Sequence, residues 1–202
     1  MTRANQAGIS VVVPALNEEK NLRSAVANVM RAAHVAGNVP VEILVVDDGS
    51  TDGTAKVAAE LEAEYPVVRT IHHDRNKGFG TCFLSGLHVA RYEWITVFPG
   101  DNVVSVPTLA NMLRNGGKAD VTCAYTLNTE CRTRLRNCLS AVFSFVYTTT
   151  FNLHIRYINA TPVYPVAPLR GMKLRCLRYS FPSEPTVRLL RAAARSLNCR
   201  DS

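Results

Sequence analysis

The sequence predicts an α/β fold of the doubly wound kind, a mostly parallel sheet with helices on both faces. Three observations carry this. Short apolar, β-branched runs alternate with helical patterns from residue 9 to residue 125; the runs end in polar or acidic residues; and the intervals between them hold the helical crossovers that parallel strands require.

Each element follows from its residues. Ile9 to Val13 is a β-branched run closed by Pro14, a first buried strand. Asn17 is placed as the cap of the next helix, with Glu18 and Glu19 in its first turn, and Leu22, Val26, Val29 and Ala33 recur at helical spacing up to Gly37. In Val41 to Thr54 the apolar run Ile43 to Val46 stops abruptly at two carboxylates, Asp47 and Asp48. A buried strand that delivers acids to a sheet edge places them where open α/β sheets bind ligands. The alternative for Asp48 or Ser50 is a cap on the next helix, Thr51 to Tyr65, whose inner side carries Ala55, Ala58, Ala59 and Leu61.

Val67 to Ile71 is a third strand, followed by His72, His73 and Asp74. Neighbours on a strand point to opposite faces, so the two histidines do not chelate one metal together. Asn76-Lys77-Gly78-Phe79-Gly80 is a glycine-rich loop that opens a helix, Thr81 to Arg91, and presents N–H groups and a lysine to an anion. It matches neither the dinucleotide fingerprint nor a phosphate-binding Walker loop. Trp94 to Phe98 is a fourth strand ending in Pro99-Gly100-Asp101-Asn102. Thr108 to Leu113 gives a short helix stopped by Gly116-Gly117, and Asp120 to Ala124 a fifth strand.

Beyond residue 125 the character changes, which divides the chain into an α/β core, 1–125, and a basic helical part of the same domain, 126–202. Met1 to Lys118 carries a net charge of −1 and Ala119 to Ser202 one of +8. Arg132, Arg134 and Arg136 precede Leu139 to Ile155, whose Val142, Phe143, Val146, Tyr147 and Phe151 fit an aromatic helical face, suited to a bilayer interface or to core packing. Val163 to Val166 is an extended segment, and Thr186 to Ser196 a basic helix after Ser183-Glu184-Pro185. The charge asymmetry points to an anionic partner. Nucleic acid is disfavoured, because the aromatics cluster in an apolar run and are not interleaved with cations as in a stacking platform. The six cysteines show no zinc-type spacing and read as free thiols in a reducing compartment. The N-terminus lacks the apolar core of a signal peptide.

Taken together, Val12-Val13-Pro14-Ala15-Leu16-Asn17-Glu18, Val46-Asp47-Asp48-Gly49-Ser50-Thr51-Asp52 and Asn76-Lys77-Gly78-Phe79-Gly80 resemble a family-2 glycosyltransferase of the GT-A fold. Within that family the chain is similar to dolichyl- or polyprenyl-phosphate sugar synthases. The resemblance implies that Pro14, Ala15, Asn17 and Glu18 border the nucleoside, that Asp47 or Asp48 faces the base or ribose, and that Asn76, Lys77, Gly78 and Gly80 lie beside a UDP- or GDP-linked sugar. Asp101 falls at the second acid of the family's Asp-x-Asp metal motif, with Asn102 adjacent, but Pro99 replaces the first acid. A Mg²⁺ or Mn²⁺ cofactor would then rest on one aspartate and the substrate diphosphate.

The same resemblance gives the basic half a use. Arg132, Arg134 and Arg136 would bind the phosphate of a lipid acceptor, and Glu184 stands where the family carries an acid before its last helix, as an acceptor-site organiser, a base or a helix charge. The expected function is inverting transfer of a sugar to a polyprenyl phosphate by a peripheral protein at the cytoplasmic face of a membrane. The alternatives are a sugar or other hydroxyl acceptor, and a non-catalytic nucleotide-sugar or membrane-binding protein. The family's final segment is missing, which implies a compact or truncated form.

Overall fold

The computed structural model describes residues 6–102, 104–119, 121–123, 142, 149–150, 162–175 and 181–198, excepting the side chains of 6 and 193–198. Among these residues six strands form one sheet in the order β3-β2-β1-β4-β6-β5. The first three are β1 (Gln6–Ala15), β2 (Val41–Asp47) and β3 (Val68–His72); the others are β4 (Tyr92–Val97), β5 (Thr122–Cys123) and β6 (Pro162–Pro165). From β3 to β4 all pairings are parallel, whereas β6 runs antiparallel to both β4 and β5.

Strand alternation sorts the core into two layers. Val11 and Val13 of β1, with Ile43 and Val45 of β2, face α1 (Leu22–Val35), α2 (Thr54–Glu64) and α4 (Val106–Asn115). Val12, Leu44 and Val46 face the other way, toward α3 (Phe79–Val89) and α5 (Val166–Arg170). Such strands are apolar on both faces, which is why they read as continuous runs. Gly86 lets α3 close onto β1, since a Cβ there would stand 2.5 Å from a Val12 methyl.

The final helix, α6 (Ser183–Asn198), joins this second layer. Phe83 of α3 packs on Phe181 at a centroid distance of 4.9 Å and edge-on to Tyr164 of β6. The Tyr164 hydroxyl donates to Pro182 O at 2.7 Å and bonds the Thr186 hydroxyl at 2.8 Å. Residues beyond 126 thus supply β6 to the interior of the sheet.

Several boundaries differ from expectation. Asn17 caps no helix: its φ is +58° and its side chain reaches another loop, while α1 starts after Asn21. Neither Asp48 nor Ser50 caps α2, whose N-cap is Gly53. Ala59 faces solvent, and the inner residues of α2 are Thr54, Ala58 and Leu61. The fifth strand is only two residues long among the described residues and is separated from β4 by β6. The extended segment runs from Pro162 to Pro165, and Val166 already begins α5. Among the described residues no helix is long and apolar enough to cross a membrane.

Candidate active site

Parallel pairing of β1 to β4 brings their carboxyl ends to one edge of the sheet. Sequence order moves outward from β1 through β2 to β3 and then returns to β4 on the other side of β1. The point of reversal lies between β1 and β4, and it is beyond the carboxyl ends at such a point that open α/β sheets take ligands in a crevice. Pro14 and Ala15 form one lip, and Gly100 and Asp101 the other. The lips are joined where Gly100 N–H donates to Pro14 O at 3.0 Å. A Cβ on Gly100 would lie 2.9 Å from that oxygen, so the β4 end approaches β1 only as glycine.

The loops after β1 and β2 are built as one unit. Asn17 N–H donates to Ser50 Oγ (2.9 Å), and Thr51 N–H to Asn17 Oδ1 (2.9 Å). Glu18 N–H donates to Thr54 Oγ1 (2.8 Å), and Gly53 N–H to Glu19 Oε2 (3.1 Å). Asp52 accepts from the Thr54 hydroxyl, from Thr54 N–H (3.0 Å) and from Glu19 N–H (3.3 Å). The Thr54 hydroxyl outweighs partial desolvation and, with those two amides, holds the Asp52 carboxyl below its ordinary 3.8.

Asp47 and Asp48 are both buried, yet their environments differ. Asp47, last in β2, lies in register between Ala15 and His72; it accepts from Ser50 N–H (3.1 Å) and stands 3.3 Å from His72 Nδ1. Asp48 is bonded by His73 Nδ1 (2.6 Å), Lys77 N–H (2.9 Å), Gly78 N–H (2.8 Å) and the Cys82 thiol. Desolvation pushes its carboxyl upward, but the His73, Lys77, Gly78 and Cys82 donors together win and hold it below the ordinary value. Four donors fill the roughly four lone-pair positions of a carboxylate. The adjacent histidines diverge as adjacent strand residues should, each meeting one of the adjacent acids.

The glycine-rich loop therefore lies against the end of β2. A Cβ on Gly49, whose φ is +75°, would meet the Arg75 backbone at 2.5 Å. Gly78, with φ +89°, is the N-cap of α3, Asn76 and Lys77 are exposed, and Gly80 is buried. Lys77 Nζ pairs with Asp74 at 2.6 Å.

Asp101 is exposed beyond the end of β4, next to Asn102 at φ +60°. Asn102 Oδ1 accepts from Asn28 Nδ2 at 2.8 Å, and Asn102 Nδ2 donates to Ser24 Oγ at 3.2 Å, so its side chain is turned onto α1. Glu184, in the first turn of α6, accepts from Arg175 N–H (2.8 Å) and pairs with Arg188 (2.6 Å). Arg132, Arg134 and Arg136 lie outside the described residues, as does 139–155 apart from 142, 149 and 150. Sequence reasoning missed Cys82 and Ser85, which stand one helical turn apart at the first two turns of α3; only the folded chain brings them to His73 and Asp48.

The description Glycosyl transferase family 2 belongs to a family model that matches residues 10–175. The chain belongs to glycosyl transferase family 2. A relative in Pyrococcus furiosus, a dolichol-phosphate mannosyltransferase, is 31% identical over 111 residues, 54% of this chain and 30% of that protein. A dolichyl-phosphate beta-glucosyltransferase of Trichomonas vaginalis is 27% identical over 136 residues, 62% of this chain and 42% of its own length. The chain spans about a third of the length of the curated relatives it matches. Among solved structures, glucosyl-3-phosphoglycerate synthase from Mycobacterium tuberculosis in complex with uridine diphosphate superposes with TM-score 0.61 at 19% identity, over 88% of this chain and 63% of that one. The shared fold is the GT-A arrangement, a mostly parallel sheet flanked by helices.

Proposed function

We propose that this family-2 chain is an inverting glycosyltransferase that moves a sugar from a UDP- or GDP-linked donor to a polyprenyl phosphate at the cytoplasmic face of a membrane. The observation that carries the reading is the reversal of strand order between β1 and β4, where Gly100, next to Asp101, meets Pro14 and Ala15 beside the joined loops of Asn17, Glu18 and Ser50. The dolichol-phosphate transferases among its relatives support the acceptor.

Asp47 is the acid that reads the nucleoside, because it accepts two contacts where Asp48 accepts four. Asp48 acts through the loop it fixes, holding Lys77 and Gly78 in place. A single exposed carboxylate suits a hard divalent cation bound chiefly by the diphosphate. Asp101 would hold Mg²⁺ or Mn²⁺, whose contribution is to neutralise charge on the departing diphosphate. Asn102 joins that set only by giving up its bonds to Asn28 and Ser24.

The acceptor phosphate forms a bond to the anomeric carbon as the bond from that carbon to the diphosphate breaks. With a second pKa near 6, a phosphate monoester is largely anionic at neutral pH and needs no base. The ties of Glu184 to Arg175 and Arg188 suit that reading, since they make it a helix-terminal charge. Arg132, Arg134 and Arg136 supply the cations for the acceptor, and the aromatic run 139–155 an apolar surface for its chain.

The test is release of nucleoside diphosphate by purified protein with Mg²⁺ or Mn²⁺. Release from a UDP- or GDP-sugar that rises severalfold with polyprenyl phosphate in detergent supports the proposal. No release from any common nucleotide sugar, with or without lipid, sinks it and leaves a binding protein.

A further inference from the structure

On the side of β2 away from the β1–β4 reversal, three side chains converge that the transfer reaction does not use together. Donor atoms of Asp48, His73 and Cys82 all lie within 4.8 Å of one another. All three are well shielded: Cys82 is 1% exposed, and the Asp48 and His73 side chains are 6% exposed. We propose that Asp48, His73 and Cys82 form a binding site for a borderline-soft divalent ion of the Zn²⁺ type, separate from the hard-cation position at Asp101. The inference goes beyond the transfer reaction and stands whether or not that reaction occurs.

The donor set selects the ion. Thiolate, imidazole and carboxylate are the protein ligands of zinc, at about 2.3, 2.0–2.1 and 2.0–2.2 Å. Bonds of those lengths put neighbouring donors roughly 3–4 Å apart, within reach of the present spacing. Mg²⁺ prefers oxygen ligands alone and has no reason to enter. Charge also favours the ion, since one carboxylate and one thiolate cancel Zn²⁺ and leave a neutral buried centre.

The surrounding hydrogen bonds are those that a metal site needs. Asp48 accepts from His73 and Cys82 through the protons that a metal would replace, while the Lys77 and Gly78 amides continue to orient the carboxylate. In the metal-free protein the Asp48 carboxylate requires a proton on His73 Nδ1, and Nε2 bonds the Ser85 hydroxyl at 2.9 Å. On binding, Nδ1 becomes the ligand, the ring proton sits on Nε2 and donates to Ser85 Oγ. A ligating histidine ordinarily has such an outer partner. Cys82 loses one proton to solvent for each ion bound. Burial, and then the Asp48 charge, keep the thiol protonated without metal, its pKa pushed up to about 12. Ser85 also lines an open cavity of about 410 Å³ with Ile71, Thr81, Leu84, His88 and Val89, so the outer partner of the histidine stands next to solvent-accessible space.

The experiment titrates the full chain with Zn²⁺ by calorimetry in excess Mg²⁺, and with Co²⁺ by absorbance. Expected are one ion per chain and a thiolate-to-cobalt charge-transfer band. Cys82→Ala is expected to remove the band and weaken binding at least tenfold, and Ser85→Ala to weaken it by about 10–100-fold, the usual outer-partner effect. The converse variant, with the other five cysteines replaced by serine, retains the band and decides the matter should Cys82→Ala fail to fold. No Zn²⁺ uptake by the wild type, a cobalt complex without a thiolate band, or a band that survives in Cys82→Ala overturns the proposal.

Discussion

Gly49 carries no side chain because the Arg75 backbone fills the space where one would go, and its φ of +75° is the left-handed region. Gly49→Ala is expected to destabilise the fold by at least about 1–2 kcal/mol from backbone conformation alone, with faster amide exchange at Lys77 and Gly78 as the loop lifts; urea melts and exchange measurements check both. Asp101 is a different case, since it is exposed and asparagine keeps its size and its side-chain acceptor oxygen. Asp101→Asn should melt like the wild type and lose turnover on the order of 10²-fold, the scale of one lost leaving-group stabiliser; unchanged turnover would remove Asp101 from the chemistry. Asp52 supplies a pH dependence. Its folded pKa is depressed, so its contribution to loop pairing is fully present above 3.8 and is lost as pH falls through the lower folded value. The Glu19 and Thr54 amide resonances should titrate with a midpoint below 3.8. A midpoint at or above that value would mean that Asp52 does not hold the two loops together.

At the scale of elements, the strands were legible and their neighbours less so. β2, β1 from Ile9 to Val13 and β4 from Ile95 onward are buried on both faces, which leaves apolar runs that sequence alone displays. The start of α1 was not, because Asn17 looks like a cap until Thr51, 34 residues on, is seen to take its carbonyl. The place of β6 between β4 and β5 was also hidden: pairing at such separation leaves no local signal, and a four-residue strand bounded by two prolines is mostly a tertiary fact. Arg170 shows the same kind of long-range tie. Its guanidinium donates to Leu87 O (3.1 Å) and Ala90 O (2.5 Å), the carbonyl end of α3, and so fastens α5 to it. Arg170→Met should cost about 1 kcal/mol, as expected for an exposed cation at a helix C-terminus, measured as a shift in urea midpoint at unchanged slope. A cost near zero would mean that water replaces the guanidinium without loss.

At the scale of the molecule, the sheet edge was foreseeable from the three strand-end motifs, but the division of labour along it was not. Asp47 and Asp48 are neighbours of one residue type; register and the folded position of residues 73–82 give one of them Ser50 N–H and His72 as partners and make the other the anchor of the Lys77–Gly78 loop. The acceptor end of the molecule allows a similar decision. If the acceptor is a phosphate, no proton has to be removed, and the bonds of Glu184 to Arg175 N–H and Arg188 mark a structural charge. Glu184→Gln keeps an acceptor for Arg175 N–H and gives up the charge that pairs with Arg188, so transfer to polyprenyl phosphate should stay within about tenfold of the wild type. A hydroxyl acceptor would instead need a base, and removing one typically costs 10²–10⁴-fold. Measured with both acceptor types under one set of conditions, a loss of that larger size on the phosphate acceptor would move Glu184 into the chemistry and the acceptor class with it.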